Sequence, residues 1–131
     1  ASLEVDSLPK DTKQFGFDIT TPRDPATSLR IIAFPLGTQV SNKAVLTSGI
    51  VSNYEYGLIV HNENGISRQF NAIRTEAQAT QGSSGGPVVL ADTMRVVGVL
   101  HGGINEKGFF MNIASDIAQL FNDPTLNIIT E

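Results

Sequence analysis

Gly82-Ser83-Ser84-Gly85-Gly86 is a run of glycine and serine, preceded by Thr80-Gln81 and followed at once by Pro87-Val88-Val89-Leu90. A chain this rich in glycine reaches backbone conformations closed to other residues. A serine held in such a loop can turn its hydroxyl outward while neighbouring N–H groups converge on one spot. Acyl transfer needs that arrangement: a nucleophile, and donors aimed at the oxyanion that forms on attack. A plain turn between two strands draws on the same residues. Gly82-x-Ser84-x-Gly86 also fits the spacing of a nucleophile elbow, but an elbow runs from strand into helix. Here the β-branched run Val88-Val89 predicts a strand. A phosphate-binding loop is excluded as well, since no Gly-Lys-Ser/Thr follows and no helix opens.

Serine is a weak nucleophile until a base takes its proton, and histidine is the usual base. The chain has two, His61 and His101. His61 closes a strand-like run beside Asn62-Glu63-Asn64-Gly65, where a solvated side chain is the expected state. His101 follows Val99-Leu100 in another strand-like run and reads equally as a half-buried histidine.

The elements that must position the loop are strands. Leu29–Phe34 stops at Pro35-Leu36-Gly37, and Ala44–Ser52 follows, with Gly49 marking a bulge or a close approach. Tyr56–His61 and Ile66–Ile73 flank the hairpin signal at 62–65. Pro87–Leu90, Val96–Leu100 and Gly108–Ile113 complete the set. Ser115 or Asp116 then caps a predicted helix over Ile117–Phe121, ended by Asn122-Asp123-Pro124. Short strands at even spacing with one terminal helix predict an antiparallel barrel of about six strands. Residues 1–26 are polar and broken by Pro9, Pro22 and Pro25, and read as a connecting segment.

Bulk properties narrow the partners. The 131 residues suit one domain or one half of a larger one. With 40% hydrophobic and 17% charged residues the composition is that of a globular chain. A net charge of −4 without a basic cluster argues against nucleic acid and anionic membrane. Cysteine is absent, so there is no disulfide framework and no thiolate metal site. No stretch approaches the roughly 20 apolar residues of a membrane span, and no signal peptide is visible at the N-terminus. No metal and no cofactor is expected.

The serine loop resembles that of the chymotrypsin-fold serine proteases, whose nucleophile lies in Gly-Asp/Asn-Ser-Gly-Gly-Pro. Ser83 replaces the Asp or Asn, which argues against an activation switch in which a new N-terminus pairs with that carboxylate. Phe34-Pro35-Leu36-Gly37 with Thr47–Ser52, and Arg74-Thr75-Glu76-Ala77, are similar to segments of HtrA/Deg-type proteases. Val96–Val99 and Phe109–Ile113 are similar to the substrate-binding strand of that fold and its neighbour. The Val-Gly-Val-x-x-Gly-Gly shape of Val97–Gly103 is shared with glutamyl endopeptidases. The likeness spans about 29–121 and is to the second of the fold's two barrels.

The resemblance implies an all-β fold: a six-stranded antiparallel Greek-key barrel with one C-terminal α-helix. It divides the chain into an inter-barrel linker (1–26), a nucleophile-bearing barrel with its terminal helix (27–123) and a tail (124–131). It makes Ser84 the nucleophile, with the N–H groups of Gly82 and Ser84 as the oxyanion hole. Gln78, Ala79, Thr80 and Gln81 would form one wall of the substrate pocket, and Leu100, His101, Gly102 and Gly103 the other. In glutamyl and picornavirus-type relatives a histidine of this strand reads the substrate, one residue earlier than His101. A one-residue offset reverses the face unless a bulge intervenes. The catalytic His and Asp would come from a first barrel, on the same parent chain or a separate one. The implied activity is that of half a trypsin-like serine endopeptidase acting on protein or peptide substrates, inactive by itself. The alternative is a pseudoprotease barrel that binds peptide or protein. An exposed barrel face would favour self-association, and the resemblance favours an exported, periplasmic or secreted protein.

Overall fold

The computed structural model describes residues 4–33, 44–61, 63–79, 83–106 and 109–122. Alternation builds the first strand, β1 (Ser28–Ala33): Leu29, Ile31 and Ala33 turn inward and are buried, while Ser28, Arg30 and Ile32 turn away. Five more strands follow: β2 (Val45–His61), β3 (Ser67–Thr75), β4 (Pro87–Leu90), β5 (Val96–Glu106) and β6 (Phe109–Asp116). All pair antiparallel and close into a barrel in the order β1-β2-β3-β6-β5-β4. The first three strands run as neighbours, and the chain then crosses to β4 beside β1 before returning through β5 to β6. That crossing, residues 76–86, carries the serine loop.

The barrel interior is filled by Leu29, Ile31, Val51, Ile73, Ala77, Val88, Leu90, Val97, Leu100 and Ala114. A second apolar layer lies outside it: Val89, Val96 and Ile117, covered by Phe17, Met94, Val99 and Phe121. Phe17 and Phe121 meet edge to face at 5.5 Å. Phe17 also forms an isolated parallel bridge with Val96, fixed by Val96 N–H to Gly16 O (2.8 Å) and Asp18 N–H to Val96 O (3.0 Å). The short strand β4 is therefore buried on both faces, Val88 inward and Val89 outward, and this explains its unbroken apolar sequence.

The structure changes two of the sequence expectations and decides between the alternatives of a third. The runs 44–52 and 56–61 are one strand of 17 residues, bent by register shifts at Val51/Asn53 and Glu55/Leu58. Gly57, at φ 65°, supplies the left-handed conformation of the second shift. Gly49 marks a close approach: a Cβ there would stand 2.6 Å from Ala77 Cβ. Lastly, the predicted C-terminal α-helix does not form. Ser115 stays in the sheet opposite Ala72 and Val99, and β6 ends only at Asp116. A six-residue 3-10 helix, Ile117–Asn122, follows. Asp116 does act as a cap, accepting Ala118 N–H at 3.0 Å, but sheet pairing consumes the residues an α-helix would have needed for its first turn.

Candidate active site

Loop 76–79 is drawn down onto the barrel from two sides. Thr75 Oγ donates to Ile50 O (2.7 Å) and accepts Ala77 N–H (3.1 Å). Glu76 accepts Ile50 N–H (2.7 Å) and Thr47 Oγ donates to Gln78 O (2.7 Å), both from β2. From β6, the buried Asn112 donates its amide to Ala77 O (2.7 Å). Buried Thr75 and Asn112 were not read from the sequence as site-forming residues. Their signal was a polar residue at an inward position of an apolar strand.

Thr80, Gln81 and Gly82 lie outside the described residues, so the structure speaks to the Ser84 side of the expected oxyanion hole. Beyond them, Ser83 is buried and its Oγ has no hydrogen-bond partner among the described residues. Ser84 is exposed. Gly85 follows at φ 90°, a conformation that favours glycine. Gly86 is tightly enclosed, since a Cβ would stand 2.6 Å from Ile32 O. Gly85 N–H donates to Leu100 O (2.7 Å), Gly86 N–H to Ser83 O (3.0 Å), and Leu100 N–H to Gly86 O (2.9 Å). The loop is thus stitched to β5 immediately beside Ser84. Gly85 and Gly86 spend their donors internally, whereas Ser84 N–H has no acceptor among the described residues.

Ser84 Oγ donates to the main-chain carbonyl of His101 at 3.0 Å. The register of β5 against β6 shifts between Leu100 and Gly102, so His101 is the bulged residue. The His101 ring is exposed and rests on Phe70, 5.3 Å between centroids. His61 Nδ1 shares a 2.6 Å hydrogen bond with Ser67 Oγ across the β2–β3 hairpin. Neither ring meets the Ser84 hydroxyl.

The pocket residues expected from the sequence divide between two hollows. Gln78 and Ala79 border a cavity of about 200 Å³ with Ile31, Ala33, Thr47 and Ser83. Leu100 and His101 border a groove of about 670 Å³ with Phe70, Val99, Ile117 and Leu120. Gly85, Val99 and Ile117 also line an adjoining hollow of about 320 Å³, together with Phe15, Phe17 and Pro87. The two share Gly85, Val99 and Ile117; the smaller is mainly apolar, whereas the larger is also lined by Arg68, Gln69, Asp116 and Gln119. Gly102 and Gly103 continue β5 opposite Ile113 and Asn112.

A polar cluster that the sequence reading did not assemble ties the N-terminal segment to the barrel. Arg23, only 6% exposed, donates to Asp116 (3.3 Å) and to the carbonyls of Asp18 (2.6 Å) and Thr21 (2.5 Å). Tyr54 Oη donates to the other Asp116 oxygen at 2.5 Å. Burial, then the hydrogen bond and charge of Asp116, raise the Tyr54 phenol well above its ordinary range. Burial opposes charge on Asp18, but hydrogen bonds from Thr21 and Thr20 with Arg23 nearby outweigh it and leave the carboxyl below its ordinary value.

The chain matches the family described as trypsin-like peptidase domain over residues 1–99. No curated protein matches it in sequence. Among solved structures it is similar to the active form of the Rv3671c protease from M. tuberculosis, with TM-score 0.70 and 16% identity over 86% of this chain and 47% of that one. An inactive Ser343Ala mutant of the same M. tuberculosis protein matches at TM-score 0.64 and 15% identity, over 86% and 52%. The chain spans about half the length of these structures. By family match and by the six-stranded antiparallel barrel, the chain belongs to the trypsin-like peptidase domains of the chymotrypsin fold.

Proposed function

We propose that the chain is the nucleophile-bearing barrel of a serine endopeptidase whose histidine and aspartate reside on a first barrel. Ser84 Oγ adds to the carbonyl carbon of the scissile peptide while its proton passes to the incoming histidine. The carbonyl oxygen becomes the oxyanion, received by the N–H groups of Ser84 and Gly82. Collapse expels the amine, which takes the proton from histidine, and water then hydrolyses the acyl-serine. One observation carries the reading: Ser84 stands exposed on a loop stitched to β5, yet no imidazole meets its hydroxyl. The apolar side chains of Phe15, Phe17, Pro87, Val99 and Leu120 are the docking place for that barrel, and the matched structures have the extra length to supply one. Left uncovered, this face favours self-association. The segment 1–26 serves as the inter-barrel connection, 27–123 as the barrel and 124–131 as a tail.

The test is labelling with a serine-directed fluorophosphonate, alongside casein hydrolysis. Without the base the rate falls roughly 10²–10⁴-fold, so the isolated chain stays unlabelled. Adding the base-bearing barrel, in cis or in trans, restores both signals, and Ser84→Ala removes them. Brisk labelling of the isolated chain would overturn the two-barrel reading. A second reading, a pseudoprotease that binds peptide, is favoured by the Ser84 hydroxyl being held on a main-chain carbonyl. It predicts that labelling stays absent after reconstitution.

A further inference from the structure

We propose that the His101 carbonyl holds Ser84 in a resting rotamer, and that the backbone N–H of a bound peptide strand releases it. The inference rests on the reading above, with the outer edge of β5 at His101–Gly103 receiving substrate as an added strand. The hydroxyl has one proton, and at 3.0 Å it is given to His101 O. A proton committed there is not aimed at a base.

The carbonyl is available because of the bulge. Leu100 spends its N–H on Gly86 and its C=O on Gly85, and the ladder to β6 resumes at Gly102. His101 is the extra residue between them. Its carbonyl turns out of the β6 ladder toward the serine loop, as its contact with Ser84 shows. With the pleat running in steps of two, the next main-chain groups on that side belong to Gly103. An extended peptide laid along this edge therefore finds Gly103 ready, but its terminal N–H meets a carbonyl already occupied.

Competition follows from the covalent geometry of the peptide. The residue whose N–H reaches His101 O is the one nearest Ser84. Its own carbonyl carbon lies two bonds further along and is the atom presented to Oγ at about 3 Å. While its proton is given to His101 O, the hydroxyl cannot pass that proton to a base as it attacks the carbon. Binding of the strand thus turns the hydroxyl away as it delivers the bond to be cleaved, and the nucleophile is freed most readily where a peptide backbone lies.

The experiment uses this chain with ¹³Cβ-labelled serine and acetyl-Ala-Val-Ala-amide as probe, followed by NMR. Titration should shift the Gly103 amide and change the three-bond Ser84 Hα–Hβ couplings together. Removing the competing donor should tighten binding, so Ser84→Ala should hold the probe roughly five-fold more strongly, the worth of one neutral hydrogen bond. Ser84→Cys, a weaker donor, should fall between. The same probe N-methylated at its last residue should bind Ser84→Ala and the parent chain equally. If the probe shifts Gly103 while Ser84→Ala gains no affinity and the couplings stay fixed, both donors share the carbonyl and the latch is refuted, though the substrate edge stands. If no probe perturbs His101–Gly103, the substrate edge falls and the latch with it.

Discussion

The side-chain amide of Gln119 takes the place of a strand residue beside Asn71. It accepts Asn71 N–H at 2.8 Å and donates to Asn71 O at 3.0 Å, where β6 has already left the sheet. A second donation, to Asp116 O at 3.0 Å, holds the amide in place. Gln119→Ala should therefore cost about 1–2 kcal/mol, the loss of two to three neutral hydrogen bonds partly replaced by water. Urea unfolding checks this. Gln119→Glu should recover little, since it keeps the acceptor and loses the donor.

Gly49 is the point where β2 admits the loop that leads to Ser84. A Cβ there would stand 2.6 Å from Ala77 Cβ and 2.8 Å from its Cα, so backbone must shift. Gly49→Ala should destabilise by about 1–3 kcal/mol. It should also lower fluorophosphonate labelling of the reconstituted enzyme by more than the loss of folded protein explains. Labelling rates normalised to folded fraction separate the two effects.

The Tyr54–Asp116 contact sets an alkaline limit. Tyr54 has a higher pKa folded than unfolded, so its contribution is complete below the unfolded value of about 10 and is lost as pH rises beyond it. Urea midpoints should fall above pH 10, and Tyr54→Phe should flatten that fall while lowering stability at neutral pH. Asp18 behaves in the opposite sense. Its folded pKa lies below the unfolded value of about 3.8, so its stabilisation is present above that pH and fades as acid protonates the folded carboxyl. Asp18→Asn should flatten the acid side of the same profile.

No carboxylate occurs among Gln78-Ala79-Thr80-Gln81 or Leu100-His101-Gly102-Gly103. In the proposed pocket a Lys or Arg side chain would meet no carboxylate from either stretch. Cleavage-site profiling of the complete enzyme should return a small or medium uncharged residue before the scissile bond. Strict Lys/Arg preference would refute the assignment of these walls.

The proposed docking face is open to a charge test. Phe15 and Leu120 are 42% and 38% exposed and contribute little to the barrel interior. Phe15→Glu and Leu120→Glu should leave the urea midpoint of this chain nearly unchanged, yet weaken trans complementation at least ten-fold. Sedimentation should also show less self-association in both variants.

How much of this was legible in the sequence varies by element. The strands β1, β4 and β5 announced themselves through β-branched runs, and Gly85 through the company of Gly86 and Pro87. The single long β2 did not, because its bends at Val51/Asn53 and Glu55/Leu58 look from sequence like the ends of separate strands. The C-terminal turn was misread because Ser115 and Asp116 have good capping chemistry, while their pairing with Ala72, Val99 and Gly98 is decided by distant residues. The bulge at His101 was anticipated only as a condition, since a register shift depends on the partner strand. The Arg23–Asp116–Tyr54 cluster joins residues up to 93 positions apart, and no local pattern signals that.

Strand β4 follows Ser84 after two glycines and is also a seam of the barrel, pairing β1 through Leu29↔Leu90 and β5 through Pro87↔Val99. The β4–β5 seam is a local hairpin, whereas the β1–β4 seam joins distant parts of the chain and is the slower of the two to close. A partly folded or misregistered chain has no docked β4 and hence no stitched loop, and its Ser84 is an ordinary alcohol. Reactivity is thereby made a certificate of completed folding. In the proposed enzyme, nascent and damaged copies would lack a working serine loop, and a reagent that reads Ser84 after reconstitution would count only molecules whose ring has shut.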